Sequence, residues 1–136
     1  MKRIYMASPY SDPGHDLIVE EARFQAACCK AAEIMEAGYI VFSPIAHGHP
    51  IAKSGNLPKD INYWRETDLA FIEWADEVWI LLLPVWIKSK GIALEVEIAV
   101  KLGKPIKYIM INEIPPKESV YVENKTYQEV AFIPKQ

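Results

Sequence analysis

The sequence predicts an α/β domain built as three layers, with a parallel sheet of about five strands between helices. Three observations carry this prediction. Short apolar runs alternate with longer runs whose apolar residues recur at three- and four-residue steps. Glycines stand where the longer runs stop, at Gly38 and Gly103. Alternation of this kind implies parallel strands joined by right-handed crossovers.

Arg3 to Ala7 reads as the first strand, closed by the turn-rich Ser8-Pro9-Tyr10-Ser11-Asp12-Pro13-Gly14. Leu17 to Ala37 reads as a helix carrying Ala22, Ala26, Ala27, Ala31, Ile34 and Met35 on a periodic face. Tyr39 to Phe42 reads as a second strand, apolar throughout, as in a sheet covered on both faces. Ser43 to about Lys59 reads as a long loop, of a length that is usually functional. Asp60 to Trp74 reads as a helix with Asp60 as its cap, and Glu77 to Leu83 as the third strand. Gly91 to Leu102 is the next helix and Ile106 to Ile111 the fourth strand; Tyr121 to Phe132 reads as a further strand or helix. In a parallel sheet the functional loops are those after the strands: Ser8–Asp16, Ser43–Lys59 and Pro84–Lys90.

Composition bounds the partners. The 136 residues fit one domain, with 51% apolar residues for a core and a net charge of −3. That charge points away from a nucleic-acid polymer or an anionic membrane. No apolar run approaches the length of a spanning helix, and the start of the chain lacks a signal-peptide pattern. Cys28 and Cys29 are adjacent and cannot staple distant segments. A cytoplasmic location is the expectation.

The strongest chemical signal lies in Ser89-Lys90-Gly91-Ile92-Ala93-Leu94-Glu95, where a strand ends, a glycine opens a helix and a carboxylate follows one turn inside. Glu95 can attack a sugar carbon while the helix start holds an anion. Glu97, about 200° further round, cannot face the same cleft. Asp68 sits mid-helix, where aspartate is a poor helix former, and with a raised pKa would serve as general acid. Asp76 reads as a turn or cap residue. Ser8, Tyr10, Ser11, Ser89 and Gly91 suit a phosphate or sugar, with Lys88 or Lys90 adding charge; neither G-x-G-x-x-G nor a P-loop is present. His47 and His49, read as alternating residues, line the substrate or share a metal with Asp12 or His15; the expected reading is no metal and no cofactor. Of the four tryptophans, Trp86 is the candidate for stacking on a base.

Four blocks resemble the nucleoside 2-deoxyribosyltransferase superfamily, including its nucleotide N-glycosidase branch, and are most similar to a small uncharacterised group within it. They are Ile4-Tyr5-Met6-Ala7-Ser8-Pro9-Tyr10, Gly38 to Pro44, Asp68 to Asp76, and Ser89 to Ala99 followed by Gly103-Lys104-Pro105. The resemblance implies a flavodoxin-like strand order, Glu95 as nucleophile, Asp68 contacting the base and assisting its departure, and Tyr5 orienting Glu95. Ser89 matches a phosphate-binding serine of the monophosphate branch, where deoxyribosyltransferases hold an aspartate. The first loop lacks that branch's arginine and glycines, and Glu97 replaces a usual glycine. The implied activity is cleavage of the N-glycosidic bond of a 2'-deoxynucleoside or nucleoside 5'-monophosphate, by hydrolysis or base transfer. The implied assembly is a homo-oligomer whose neighbouring subunits complete the sites. The alternatives are a non-catalytic module binding a nucleotide or ADP-ribose-like ligand, and a metal-dependent hydrolase.

Overall fold

Alternation along the first and third strands decides which helix each residue meets. In the computed structural model, β1 (Arg3–Ala7) sends Ile4 and Met6 to one face of the sheet and Tyr5 and Ala7 to the other. The strand β3 (Glu77–Leu81) divides the same way, Trp79 and Leu81 opposite Val78 and Ile80. The first set packs with Ala27, Ala31 and Ile34 of α1 (Leu17–Glu36). The second packs with Ile72 of α3 (Ile61–Trp74) and with Ile92, Ile98 and Ala99 of α4 (Lys90–Lys101). Three layers result. The structure describes residues 1–11, 14 and 16–117, and the backbone of 121–122 and 125–126.

The sheet is parallel, in the order β2-β1-β3-β4, with β2 at Ile40–Phe42 and β4 at Ile106–Ile109. Among the described residues it holds four strands, in keeping with the figure of about five that the sequence suggests. Tyr121–Val122 and Lys125–Thr126 (β5 and β6) form a separate antiparallel pair; the rest of the segment expected to be a strand or helix lies outside the described residues. Since β2 is an edge strand, Ile40 is exposed and Val41 and Phe42 are half-buried, not covered on both faces as expected.

The region read as a long loop is largely helical: α2 spans Pro44–Gly55. Ser43 caps it by accepting from the Ala46 N–H at 3.1 Å, and Pro44 occupies the first turn, where its missing N–H costs nothing. Asp60 caps α3 as expected, accepting from the Tyr63 N–H. Gly38 and Gly103 take left-handed conformations just beyond α1 and α4. Lys104 then donates to the carbonyls of Glu73 and Ala75, tying the end of α3 to the start of β4. Asp76 accepts from the backbone and guanidinium of Arg3, the turn role expected of it. Gly103-Lys104-Pro105 and Ala75-Asp76 therefore serve the architecture.

The chain steps outward from β1 to β2, then returns and proceeds outward from β3 to β4. The winding direction reverses between β1 and β3, and the crevice outside the carboxyl ends of these two strands is where such a sheet accepts a ligand.

Candidate active site

A cavity of about 730 Å³ occupies that crevice. Its walls are Ser8 to Ser11 after β1, the inner face of α2, the first half of α3, and Val85 with Lys88 to Gly91 after β3. Asp68 and Glu95 lie on its floor.

Helical spacing puts Glu95 there. The buried face of α4 is Ile92, Glu95, Ile98 and Ala99, so Glu95 is the one charged side chain on the stripe that meets the sheet. It is only 6% exposed. Glu97 points the other way and pairs with Lys101 in solvent. The phenol of Tyr5, 0% exposed on the same face of the sheet, donates to Oε2 of Glu95. Asp68, from α3, lies near enough to the same hydroxyl for the two groups to influence each other's protonation. One phenol thus stands beside two carboxylates brought from two helices.

Burial dominates the electrostatics. It pushes the Glu95 carboxyl up to about 8, Asp68 adding to the rise and the Tyr5 hydrogen bond opposing it. Burial pushes Asp68 up to about 6, again opposed by Tyr5. Tyr5 itself is held well above the usual phenol range by burial and by the two carboxylates, so it stays protonated. Between these values the carboxylate pair holds one proton.

The start of α4 supplies donors. Ser89 accepts from the Ile92 N–H as N-cap, leaving its own hydroxyl proton for a ligand. A Cβ on Gly91 would lie 3.7 Å from Ser89 Oγ and 4.0 Å from Glu95 Oε1. Lys88 and Lys90 stand beside these groups on the cavity wall. Ser8 is 5% exposed and its hydroxyl has no hydrogen-bond partner among the described residues. Val85, at the rim, holds a left-handed conformation (φ 60°) that a β-branched residue rarely adopts.

The cavity therefore brings together Glu95, Asp68, Ser8, Tyr10, Ser11, Ser89 and Gly91, with Tyr5 behind the carboxylates. His47 does not join them. It lies exposed on α2, beside the rings of Phe42 and Phe71. The physical reason is that α2 is a helix, which turns residues two apart to opposite sides, whereas the extended reading aligned them. His49 faces the cavity instead. The shared metal site is set aside by the same rotation; Asp12 and His15 lie outside the described residues, and no metal-holding group of three occurs among those described. Trp86 packs against Tyr108 and is not on the cavity wall; Trp64, one turn before Asp68, is. Sequence reasoning also missed Arg23 and Lys59, whose approach depends on the packing of α1 and of the segment before α3.

No helix among the described residues is long and apolar enough to cross a membrane. No curated protein matches the sequence. Among solved structures, a 2-deoxyribosyltransferase from the psychrotolerant bacterium Bacillus psychrosaccharolyticus is 21% identical, with 98% of this chain and 99% of that chain covered and a TM-score of 0.54. The fold is the one that the resemblance to the nucleoside 2-deoxyribosyltransferase superfamily implied. The family model described as Domain of unknown function (DUF1937) matches residues 2–111, and the chain belongs to that family.

Proposed function

We propose that this protein cleaves the N-glycosidic bond of a 2'-deoxynucleoside or nucleoside 5'-monophosphate through a covalent glycosyl-Glu95 intermediate. The supporting observation is the Glu95–Tyr5–Asp68 cluster, a buried carboxylate held by a phenol with a half-buried carboxylate beside them on the floor of a cavity. Glu95 attacks C1', the C1'–N bond breaks toward the base, and Asp68 delivers its proton to the departing nitrogen. Water, or the nitrogen of a second base, then attacks C1'; Asp68 takes the proton and Glu95 leaves. The chemistry needs Glu95 ionised and Asp68 protonated. In the free protein burial places that proton on Glu95, at about 8 against about 6 for Asp68, so the reactive arrangement is the minor one; Tyr5, by donating to Glu95, lowers the cost of reaching it.

The 5' end is assigned to Ser89, Gly91 and Ser8, with Lys88 and Lys90 compensating a phosphate. The closeness of Ser89 Oγ and Glu95 across Gly91 suits a 5' group and an anomeric carbon on one ribose. A homo-oligomer is part of the same reading; the exposed Ile87 beside the cavity rim supports it.

The test is chromatographic detection of free base from deoxynucleosides and their 5'-monophosphates, with intact-mass detection of a glycosyl adduct. Release by the wild type and none by Glu95→Ala supports the proposal. Tight binding without release in both proteins would instead favour a non-catalytic binding module.

A further inference from the structure

Tyr10, His49 and Glu21 form a hydrogen-bonded chain that runs from the cavity wall to the outside of α1. Its polarity is fixed from the outer end. Glu21 is held below the usual carboxylate range by hydrogen bonds from Gln25 and His49, so it is ionised and can only accept. His49 Nε2, 3.0 Å from Glu21 Oε1, must therefore donate. A neutral imidazole then has a bare lone pair on Nδ1. The Tyr10 hydroxyl, 2.6 Å from Nδ1, spends its only proton there. The opposite tautomer would set two lone pairs against each other at 3.0 Å.

The chain is also rigid. The ring of Phe24 stacks on His49 with centroids 4.3 Å apart. Arg23 donates to the carbonyls of Tyr10 and Ser11 at 3.1 and 2.9 Å, pinning the loop that carries the phenol. A phenol positioned this way offers lone pairs alone to whatever occupies the cavity.

The ligand end that meets Tyr10 follows from the order of the wall. Trp64 lies one turn from Asp68 on α3, and a Cβ on Gly48 would touch the Trp64 ring at 3.6 Å. His49 is next to Gly48, and Tyr10 hydrogen-bonds His49. With C1' at Glu95 and the 5' group at Ser89, the base extends past Asp68 and Trp64 toward Tyr10. We propose that Tyr10 selects nucleobases bearing an exocyclic amine over those bearing an exocyclic oxygen at the edge remote from the glycosidic bond. An amine donates to the phenol oxygen; a carbonyl sets lone pair against lone pair and leaves a half-buried acceptor unmatched. This rests on the proposed N-glycosidic cleavage and names its substrate class.

The experiment compares kcat/KM for 2'-deoxyadenosine with 2'-deoxyinosine, and for 2'-deoxycytidine with 2'-deoxyuridine, each with and without a 5'-phosphate. All substrates are compared at one pH. The expected preference for the amino member is about five- to a hundredfold, the range for one mismatched hydrogen bond. In Tyr10→Phe, which keeps the ring and removes the oxygen, the ratio collapses to within about threefold. A wild-type ratio near one, or a preference that survives Tyr10→Phe, overturns the selection while leaving bond cleavage standing. If no base is released from any of the substrates, cleavage itself fails. Ligand-induced thermal shifts with adenine against hypoxanthine then decide the selection alone: a larger shift with adenine that Tyr10→Phe removes sustains it, and equal shifts overturn it.

Discussion

Gly91 and Glu95 face each other across the open start of α4, where a Cβ on the glycine would stand 4.0 Å from the carboxylate Oε1. That spacing is ordinary contact, so Gly91→Ala fits and gains helix propensity, raising stability by about 0.5–1 kcal/mol. A longer side chain projects into the place proposed for the sugar. Gly91→Leu is expected to retain the thermal unfolding profile and lose base release by more than about 100-fold. Melting curves run beside the release assay check both halves of the prediction.

Ser89 is both an N-cap and a candidate phosphate contact, and one substitution separates the two roles. Aspartate caps as well as serine, so Ser89→Asp is expected to unfold within about 0.5 kcal/mol of the wild type. Its charge repels a phosphate. Relative kcat/KM for a 5'-monophosphate against its nucleoside is expected to fall by about tenfold or more, and the fall to shrink at high salt.

Asp68→Asn removes the proposed proton donor and keeps the shape. Release of an ordinary base is expected to slow by about 10²–10⁴-fold. A 2-deoxyribosyl substrate with a p-nitrophenolate leaving group needs no proton and should lose far less. The negative charge of Asp68 also raises the Glu95 pKa, so its removal is expected to move the acidic limb of the pH profile to lower pH. Steady-state rates across pH for both substrates test this.

Stability should depend on pH through Glu95. In the unfolded chain its carboxyl ionises near 4.5, and in the fold near 8. Between these values the folded state holds the extra proton, so stability falls as pH rises and levels off above about 8. Glu95→Gln cannot ionise. It is expected to match the wild type near the lower value and to exceed it at the upper one, by an amount on the order of a few kcal/mol. Urea titrations of both proteins at several pH values give the difference directly.

Much of this site was legible in the chain because it depends on periodicity. Ile92, Glu95, Ile98 and Ala99 share a helix face by spacing alone, and strand alternation sends Tyr5 to that side of the sheet. The region after β2 was not legible. Pro50, Gly48 and Gly55 argue against a helix locally, while packing of Gly48, His49 and Ala52 against the body of the domain holds one together. Ser43-Pro44 was the available signal, a cap followed by proline in the first turn. Missing that helix misplaced His47. Trp64 was recoverable as the residue one turn before Asp68. Arg23 and Lys59 were not, because tertiary packing alone brings them to the cavity.

Tyr5 is wholly enclosed, and its neighbours Ile4 and Met6 are locked under α1. A slip of β1 by one position would bury the phenol beneath the wrong helix and turn two aliphatic residues toward the carboxylates. Assembly of the reactive cluster and formation of the central layer are thus a single event. Loss of turnover on denaturation should coincide with the global cooperative transition, with no inactive yet otherwise native form preceding it.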